Sequence, residues 1–138
     1  MADRLREGIC GPWRDLLPDG ARTTVVPVPV HPWKYFRRGF NLPSLIGLHL
    51  SRGLGAPFEP LTLLRNRERS PQAGLPLAER LRNVERAFRV PEGRPLAGHV
   101  LLVDDVYTSG ATAESCARAL KSGGADPIVV VTVARTVA

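Results

Sequence analysis

Cysteine is scarce in this chain of 138 residues: Cys10 and Cys116 are its two thiols, far apart and in no CxxC pair. That scarcity excludes a zinc ribbon built from this chain alone, and it provides no disulfide framework. Long apolar runs are missing as well. The longest, VVPVPV (25–30) and IVVVTVA (128–134), fall well short of the ~20 residues a membrane helix needs. The opening MADRLREGIC has no apolar h-region, which argues against secretion, so a cytoplasmic location is expected. No GxxxxGK[ST] run occurs, so a P-loop is not supported. Repeats, low-complexity tracts and a second-domain boundary are also absent. One domain over 1–138 is expected, with 1–22 as a lead-in, and the length suffices to bury a real core.

Hydrophobic residues make up 43% of the chain, as in an ordinary globular protein, and the formal net charge is +6. The charge is unevenly placed. Residues 65–94 carry 8 basic and 4 acidic groups, whereas 95–138 carry 3 and 4. A basic stretch of this kind attracts DNA or RNA, and it attracts a small polyphosphate equally well.

Strand and helix signals alternate. TTVVPVPV (23–30) reads as a β-branched strand in which Pro27 and Pro29 remove donors from one side, which places them at an edge or past the paired part. Asn41 is a plausible helix cap with Pro43 in the first turn. Leu42, Leu45, Ile46 and His49 would share one face of that helix, and Gly53 and Gly55 would end it. PLTLL (60–64) reads as a second short strand. Residues 65–76 lack an apolar period and hold Ser70, Pro71, Gly74 and Pro76, so they read as a flexible basic loop. Leu77, Leu81, Val84 and Phe88 recur at helical spacing, giving way to strand at AFRV. HVLLV (99–103) is a continuous apolar strand of the kind buried on both faces of a parallel sheet. Ala113, Cys116, Ala117 and Leu120 stripe the next helix, which Gly123 and Gly124 stop, and PIVVVTVA (127–134) closes with another buried strand. The expected fold class is α/β, a mainly parallel sheet flanked by helices.

The chemistry concentrates in VLLVDDVYTSGAT (100–112). Ligands of open α/β sheets sit beyond the carboxyl ends of the strands, where Asp104 and Asp105 fall. Thr108, Ser109, Gly110, Ala111 and Thr112 then open a helix, whose free N–H groups and dipole favour an anion. A donor cup beside two carboxylates suits a phosphate with vicinal hydroxyls next to it. The carboxylates accept hydrogen bonds from sugar hydroxyls and can also hold a hydrated Mg²⁺.

These thirteen residues resemble the phosphoribosyl-pyrophosphate (PRPP) signature of the type I phosphoribosyltransferases. Upstream, VVPVPVHPWKYFRRGFN (25–41) resembles the narrower ComF-like competence-protein group. SPQAGLPLAERLRNVERAF (70–88) agrees with that group through Gln72, Gly74, Leu75, Glu79, Arg80, Asn83, Val84, Ala87 and Phe88. The resemblance implies that Asp104 and Asp105 hold the ribose 2- and 3-hydroxyls, with Mg²⁺ held indirectly, and that 108–112 hold the 5-phosphate. It implies a pyrophosphate loop around His31 to Lys34, cations at Arg37 and Arg38 for the leaving pyrophosphate, and Arg67 on a loop that closes over the ligand. The chain departs from the group's pattern at Leu42, where Gln is usual, at Arg69, where Thr is usual, and in lacking the four-cysteine ribbon.

Other residues carry bland readings beside the functional ones. His31 suits solvent as well as pyrophosphate. His49 is expected to pack, and His99 to have no catalytic role. Cys116, on an inner stripe beside alanines, reads as a small core residue, and Cys10 has no partner at metal-ligand spacing. Trp33 and Tyr35 interleave with Lys34, Arg37 and Arg38, a pattern that could stack single-stranded bases, shield a sugar-phosphate site or face a protein. The arginines of 77–88 read as a solvated face with pairs such as Arg82–Glu85 and Glu85–Arg89.

Two functions follow from one fold. One is a Mg²⁺-dependent phosphoribosyltransferase that binds PRPP or ribose 5-phosphate. The alternative is a non-catalytic DNA-handling or adaptor protein of natural competence, whose partner is single-stranded DNA or a protein of the competence machinery. A base-reading hood is not recognisable in 138 residues, so ligand binding is the firmer expectation and the acceptor stays open.

Overall fold

Two prolines decide where the first strand can sit. In the computed structural model, which describes residues 22–30, 35–37, 39–66, 87–94, 96 and 98–136, β1 spans Thr23–Pro27 and runs parallel to β4, Gly98–Tyr107. The Val25 N–H points away from β4 and donates to the Pro57 carbonyl at 2.8 Å, while Glu59 N–H returns to the Val25 carbonyl at 2.9 Å. Pro27, two residues on, turns the same side outward, so its missing N–H interrupts no bond to β4. Val28 N–H still reaches the Val103 carbonyl at 2.8 Å. The proline pair therefore marks where β1 leaves the sheet, as its spacing predicts.

On the other side of β4 lies β5, Ala125–Arg135, also parallel. The main sheet has the order β1-β4-β5, with β4 in the middle. This confirms the α/β class with a parallel sheet and flanking helices. Strand β4 separates two cores by simple alternation. Val100 and Leu102 face one side with Val26, Val28, Cys116 and Leu120, while Leu101 and Val103 face the other with Val25, Leu50 and Val131. All four β4 residues are at most 1% exposed, the doubly buried pattern expected of HVLLV.

The helices cover these two faces. Helix α1, Leu42–Leu54, is capped by Asn41, whose side chain accepts the Ser44 N–H at 3.4 Å; Gly55 in the left-handed region ends it. Its packing face differs from the expected one. Pro43, Gly47, Leu50 and Ser51 are buried, whereas His49 is exposed and Leu42 and Leu45 are 38% and 55% exposed. His49 is thus a surface residue and not a packing one. The reason is Gly47: a Cβ there would stand 2.9 Å from the Phe58 ring, so the helix turns its smallest residue to the close approach. Apolar periodicity alone does not register that glycine as an inner position.

Helix α2, Ala111–Ser122, covers the opposite face with Ala113, Ser115, Cys116 and Leu120 buried, and Gly123 receives its C-terminus. The Cys116 stripe is as expected. Between the helices, PLTLL is a turn followed by the start of a ribbon. Strand β2 is only Leu64–Arg65, and it pairs antiparallel with β3, Phe88–Arg89. Thr62 and Leu63 are buried without being strand, which corrects the expected strand at 60–64. Strand at AFRV holds, with Arg89 in β3 and not on a helix. Arg65, expected in the loop of 65–76, is a β2 residue, and Phe88, expected at the end of the helix over 77–88, is a β3 residue. The rest of that loop from 67 and of that helix up to 86, with Trp33 and Cys10, lies outside the described residues. In β5, Ala125 and Val131 are buried, but Val133 is 56% exposed. β5 is the end strand of the described sheet, so one of its edges is unpaired there.

Candidate functional site

The pairing of β4 becomes one-sided at the carboxyl end. Its register with β1 stops at Val103, whereas pairing with β5 continues through Asp104↔Thr132, Val106↔Ala134 and Tyr107↔Arg135. Asp104 is the first residue beyond β1, so its carboxylate stands where the sheet opens. It is 8% exposed. The Asp105 N–H donates to Asp104 Oδ1 at 2.9 Å, and the Val106 N–H donates to Asp105 Oδ1 at 2.9 Å. Each carboxylate therefore accepts a bond from the next peptide.

Strand alternation separates the two acids. Asp104 follows Val100 and Leu102 toward the α2 side, and Asp105 follows Leu101 and Val103 toward the α1 side. A small recess between β4 and α2 is walled by Asp104, Val106, Tyr107, Thr108, Gly110 and Thr112, with Ala113 behind them. Thus Asp104, Thr108, Gly110 and Thr112 come together as expected of a cup. Asp105, Ser109 and Ala111 are not in its wall. Asp105 is half-buried, and Ser109 and Ala111 are exposed next to the cup.

Gly110 is the N-cap of α2 at φ 80, and no side chain caps the helix there. A left-handed cap favours glycine, and it leaves first-turn N–H groups to be satisfied from outside the helix. The first helical bond runs from Glu114 N–H to the Gly110 carbonyl at 2.9 Å. Ser109 Oγ accepts the Ala111 N–H at 3.5 Å, a weak local bond. The cup therefore contains a helix N-terminus and no Lys or Arg between residues 104 and 113.

Behind the cup, burial pushes the Cys116 thiol up from 9.0 to about 12, and the negative charge of Asp104 adds to the rise. A thiol so placed stays protonated and inert, the core role expected of it. In a Cys10→Ser background, a thiol reagent is expected to leave native Cys116 unmodified and to react only after unfolding. The sign of the pH effect follows. Above pH 9 the unfolded thiol loses its proton while the folded one keeps it, so its contribution to stability declines from about pH 9 up to about 12. Denaturation midpoints of this variant and a Cys10→Ser/Cys116→Ala variant across that window check the slope.

Arg37 lies exposed, in helical backbone at 35–37, and does not line the recess. His31, Lys34, Arg38 and Arg67 lie outside the described residues. Among the described residues, Arg65 pairs with Phe88 in the β2–β3 ribbon. No group of three or more metal-ligating side chains occurs among the described residues. Val106 and Tyr107 are wall residues that reading the motif missed, since both positions after the aspartates are free in the signature.

Known proteins align with this description. No family model matches the chain. Over 113 residues it is 35% identical to the DNA utilization protein YhgH of Salmonella typhi, covering 81% of this chain and 49% of that one. It is 32% identical over 113 residues to competence protein F of Haemophilus influenzae, covering 80% and 49%. Purine phosphoribosyltransferase from Pyrococcus horikoshii superposes with a TM-score of 0.56 at 20% identity, covering 97% of this chain and 72% of that one. The chain is a ComF-like protein with the type I phosphoribosyltransferase fold. It spans about half the length of the curated relatives it matches. No helix among the described residues of this ComF-like chain is long and apolar enough to cross a membrane.

Proposed function

We propose that this ComF-like protein binds PRPP or ribose 5-phosphate at the carboxyl end of β4 and, with Mg²⁺, transfers the phosphoribosyl group to a nitrogen acceptor. The observation that carries the reading is the single recess in which a buried carboxylate, Asp104, meets the uncapped N-terminus of α2 at Gly110. The helix end supports a phosphate, and the carboxylate accepts from sugar hydroxyls while an equally negative phosphate is held away from it. In the transfer, the bond from ribose C1 to pyrophosphate breaks and pyrophosphate leaves with the electron pair. A bond from C1 to the acceptor nitrogen forms, and the nitrogen's proton passes to solvent. No side chain acts as nucleophile. Rate would come from holding C1 and the acceptor together and from neutralising the leaving group.

Mg²⁺ fits this donor set as a hydrated ion. Two adjacent carboxylates with no third ligating side chain among the described residues offer partial coordination, which suits an ion that keeps waters and binds ligand oxygens. Asp104, in the recess wall, would hold it through water, Asp105 on the other face of the strand would act only at longer range, and the ion would supply charge neutralisation at pyrophosphate. His31, Lys34, Arg37, Arg38 and Arg67 belong to the proposal as the ligand's further polar contacts. A cytoplasmic location belongs to it as well. Calorimetric titration with PRPP and with ribose 5-phosphate, each with and without Mg²⁺, tests the reading. Saturable binding of both is expected, with PRPP the more Mg²⁺-dependent, and absence of binding by either ligand ends it.

A second reading draws on a separate feature. Arg89, Arg94 and Arg118 line a cleft near the C-terminal end of α2, with Phe88, Val90 and Ala119. Arg94 pairs with Glu59 at 3.6 Å and Arg118 with Glu114 at 2.6 Å, both exposed pairs of the kind worth ~0–1 kcal/mol. Such arginines exchange a carboxylate for a phosphodiester at little cost, which supports DNA handling in competence. Single-stranded DNA binding that weakens steeply with salt, and that Arg89→Ala/Arg94→Ala diminishes while ribose 5-phosphate binding persists, is the expected signature.

A further inference from the structure

The cup of this site is built on glycine, the residue least able to hold its own conformation, so something else must fix it. The geometry points to Tyr107 as a positioning residue that sets the Gly110 turn, an inference that rests on the ribose-phosphate reading of the cup. A Cβ at Gly110 would collide with the Tyr107 phenol oxygen and would lie 2.8 Å from Cζ. The tip of the ring therefore occupies the volume a side chain at Gly110 would fill, and it closes one wall of the recess. With no side chain capping α2, this ring is the support found against the cap residue.

Tyr107 is itself held from behind by the far end of β5. It pairs in register with Arg135. The Thr136 N–H donates to the Tyr107 carbonyl at 3.0 Å, and the Thr136 hydroxyl lies 3.4 Å from the same oxygen. The Arg135 guanidinium sits 5.6 Å from the ring centroid, within cation–π range. Backbone bonds fix the Cα of Tyr107, the guanidinium restrains the ring, and the ring abuts Gly110. The last described residues of β5 are thereby linked to the anion cup, although none of them lines it. A helix N-terminus binds an anion through N–H groups that converge, and convergence here depends on the ψ of one glycine. Tyr107 acts through Gly110 and is not assigned a contact with ligand.

The test uses the full chain with Tyr107→Ala, Tyr107→Phe and Arg135→Leu. Amide exchange at Gly110, Ala111, Thr112 and Ala113 is read in the free protein, and ribose 5-phosphate affinity is read by calorimetry. Tyr107→Ala is expected to speed exchange at those amides and to weaken ribose 5-phosphate by about tenfold or more, as loss of preorganisation does. Exchange in Val100–Val103 should stay unchanged, which separates a local strut from general destabilisation. Tyr107→Phe keeps the ring and is expected to restore affinity to within about threefold of wild type. Unaltered exchange in Tyr107→Ala overturns the inference. If Tyr107→Ala fails to fold, Arg135→Leu decides: faster exchange confined to the cup supports the strut, and unchanged exchange overturns it. Should wild type bind no ribose phosphate, the ligand reading falls, while the exchange measurements still decide the role of Tyr107.

Discussion

Replacing Asp104 and Asp105 together by asparagine is expected to weaken ribose 5-phosphate by at least tenfold while leaving inorganic phosphate bound no more weakly than before. Two effects oppose each other. Neutralising the carboxylates removes repulsion of a phosphate, worth about 2 kcal/mol per charge at roughly 8 Å with an effective dielectric near 20. It also removes charged acceptors for sugar hydroxyls, each bond worth about 1.5–3 kcal/mol. For ribose 5-phosphate several such bonds are at stake and the loss wins, whereas inorganic phosphate has no hydroxyl pair to lose. Single variants separate the acids. Asp104→Asn is expected to account for more of the loss than Asp105→Asn, because Asp104 walls the recess and Asp105 lies outside its wall. Asparagine retains an Oδ1 for the following N–H, so folding should persist. Competition calorimetry with the two ligands reads the difference, and equal losses for both would remove the hydroxyl-accepting role.

The second large effect is on stability. Leu102→Ala is expected to destabilise the protein by about 2–5 kcal/mol, a large part of the roughly 5–15 kcal/mol that holds a domain. Leu102 is fully buried in the cluster that also holds Val26, Val100, Cys116 and Leu120. That side is closed by α2 and the middle of the sheet, which leaves the cavity little room to collapse. The urea midpoint should fall with the m-value unchanged. Leu45→Ala, at 55% exposure on α1, is the contrast and should change stability by under about 0.5 kcal/mol. A small loss at Leu102, or a large one at Leu45, would contradict the two-core description.

The legible features were those whose signal is local. The prolines of VVPVPV mark where β1 leaves the sheet because a missing N–H acts at its own residue. Asn41 and Gly55 bound α1 because capping is settled within one turn. VLLV (100–103) declares a doubly buried strand by having no polar residue at either parity, and Gly110 marks where α2 begins. What needed the tertiary structure was direction and neighbourhood. The inner face of α1 turns on Gly47, whose value lies in having no atom where Phe58 must fit. Thr62 and Leu63 are buried by where the chain passes and not by strand pairing. Adjacent aspartates look like a matched pair in sequence, yet the pleat sends them to opposite faces, and only Asp104 walls the cup. Tyr107 fills a free position of the signature and is defined by its contact with Gly110 and by residues 135 and 136 behind it. Sequence alone determined most of the elements and the fold class, because those depend on residue type and short spacing. Which side chains meet was decided by packing, because contacts across strands depend on register and on volumes that lie far apart in the chain.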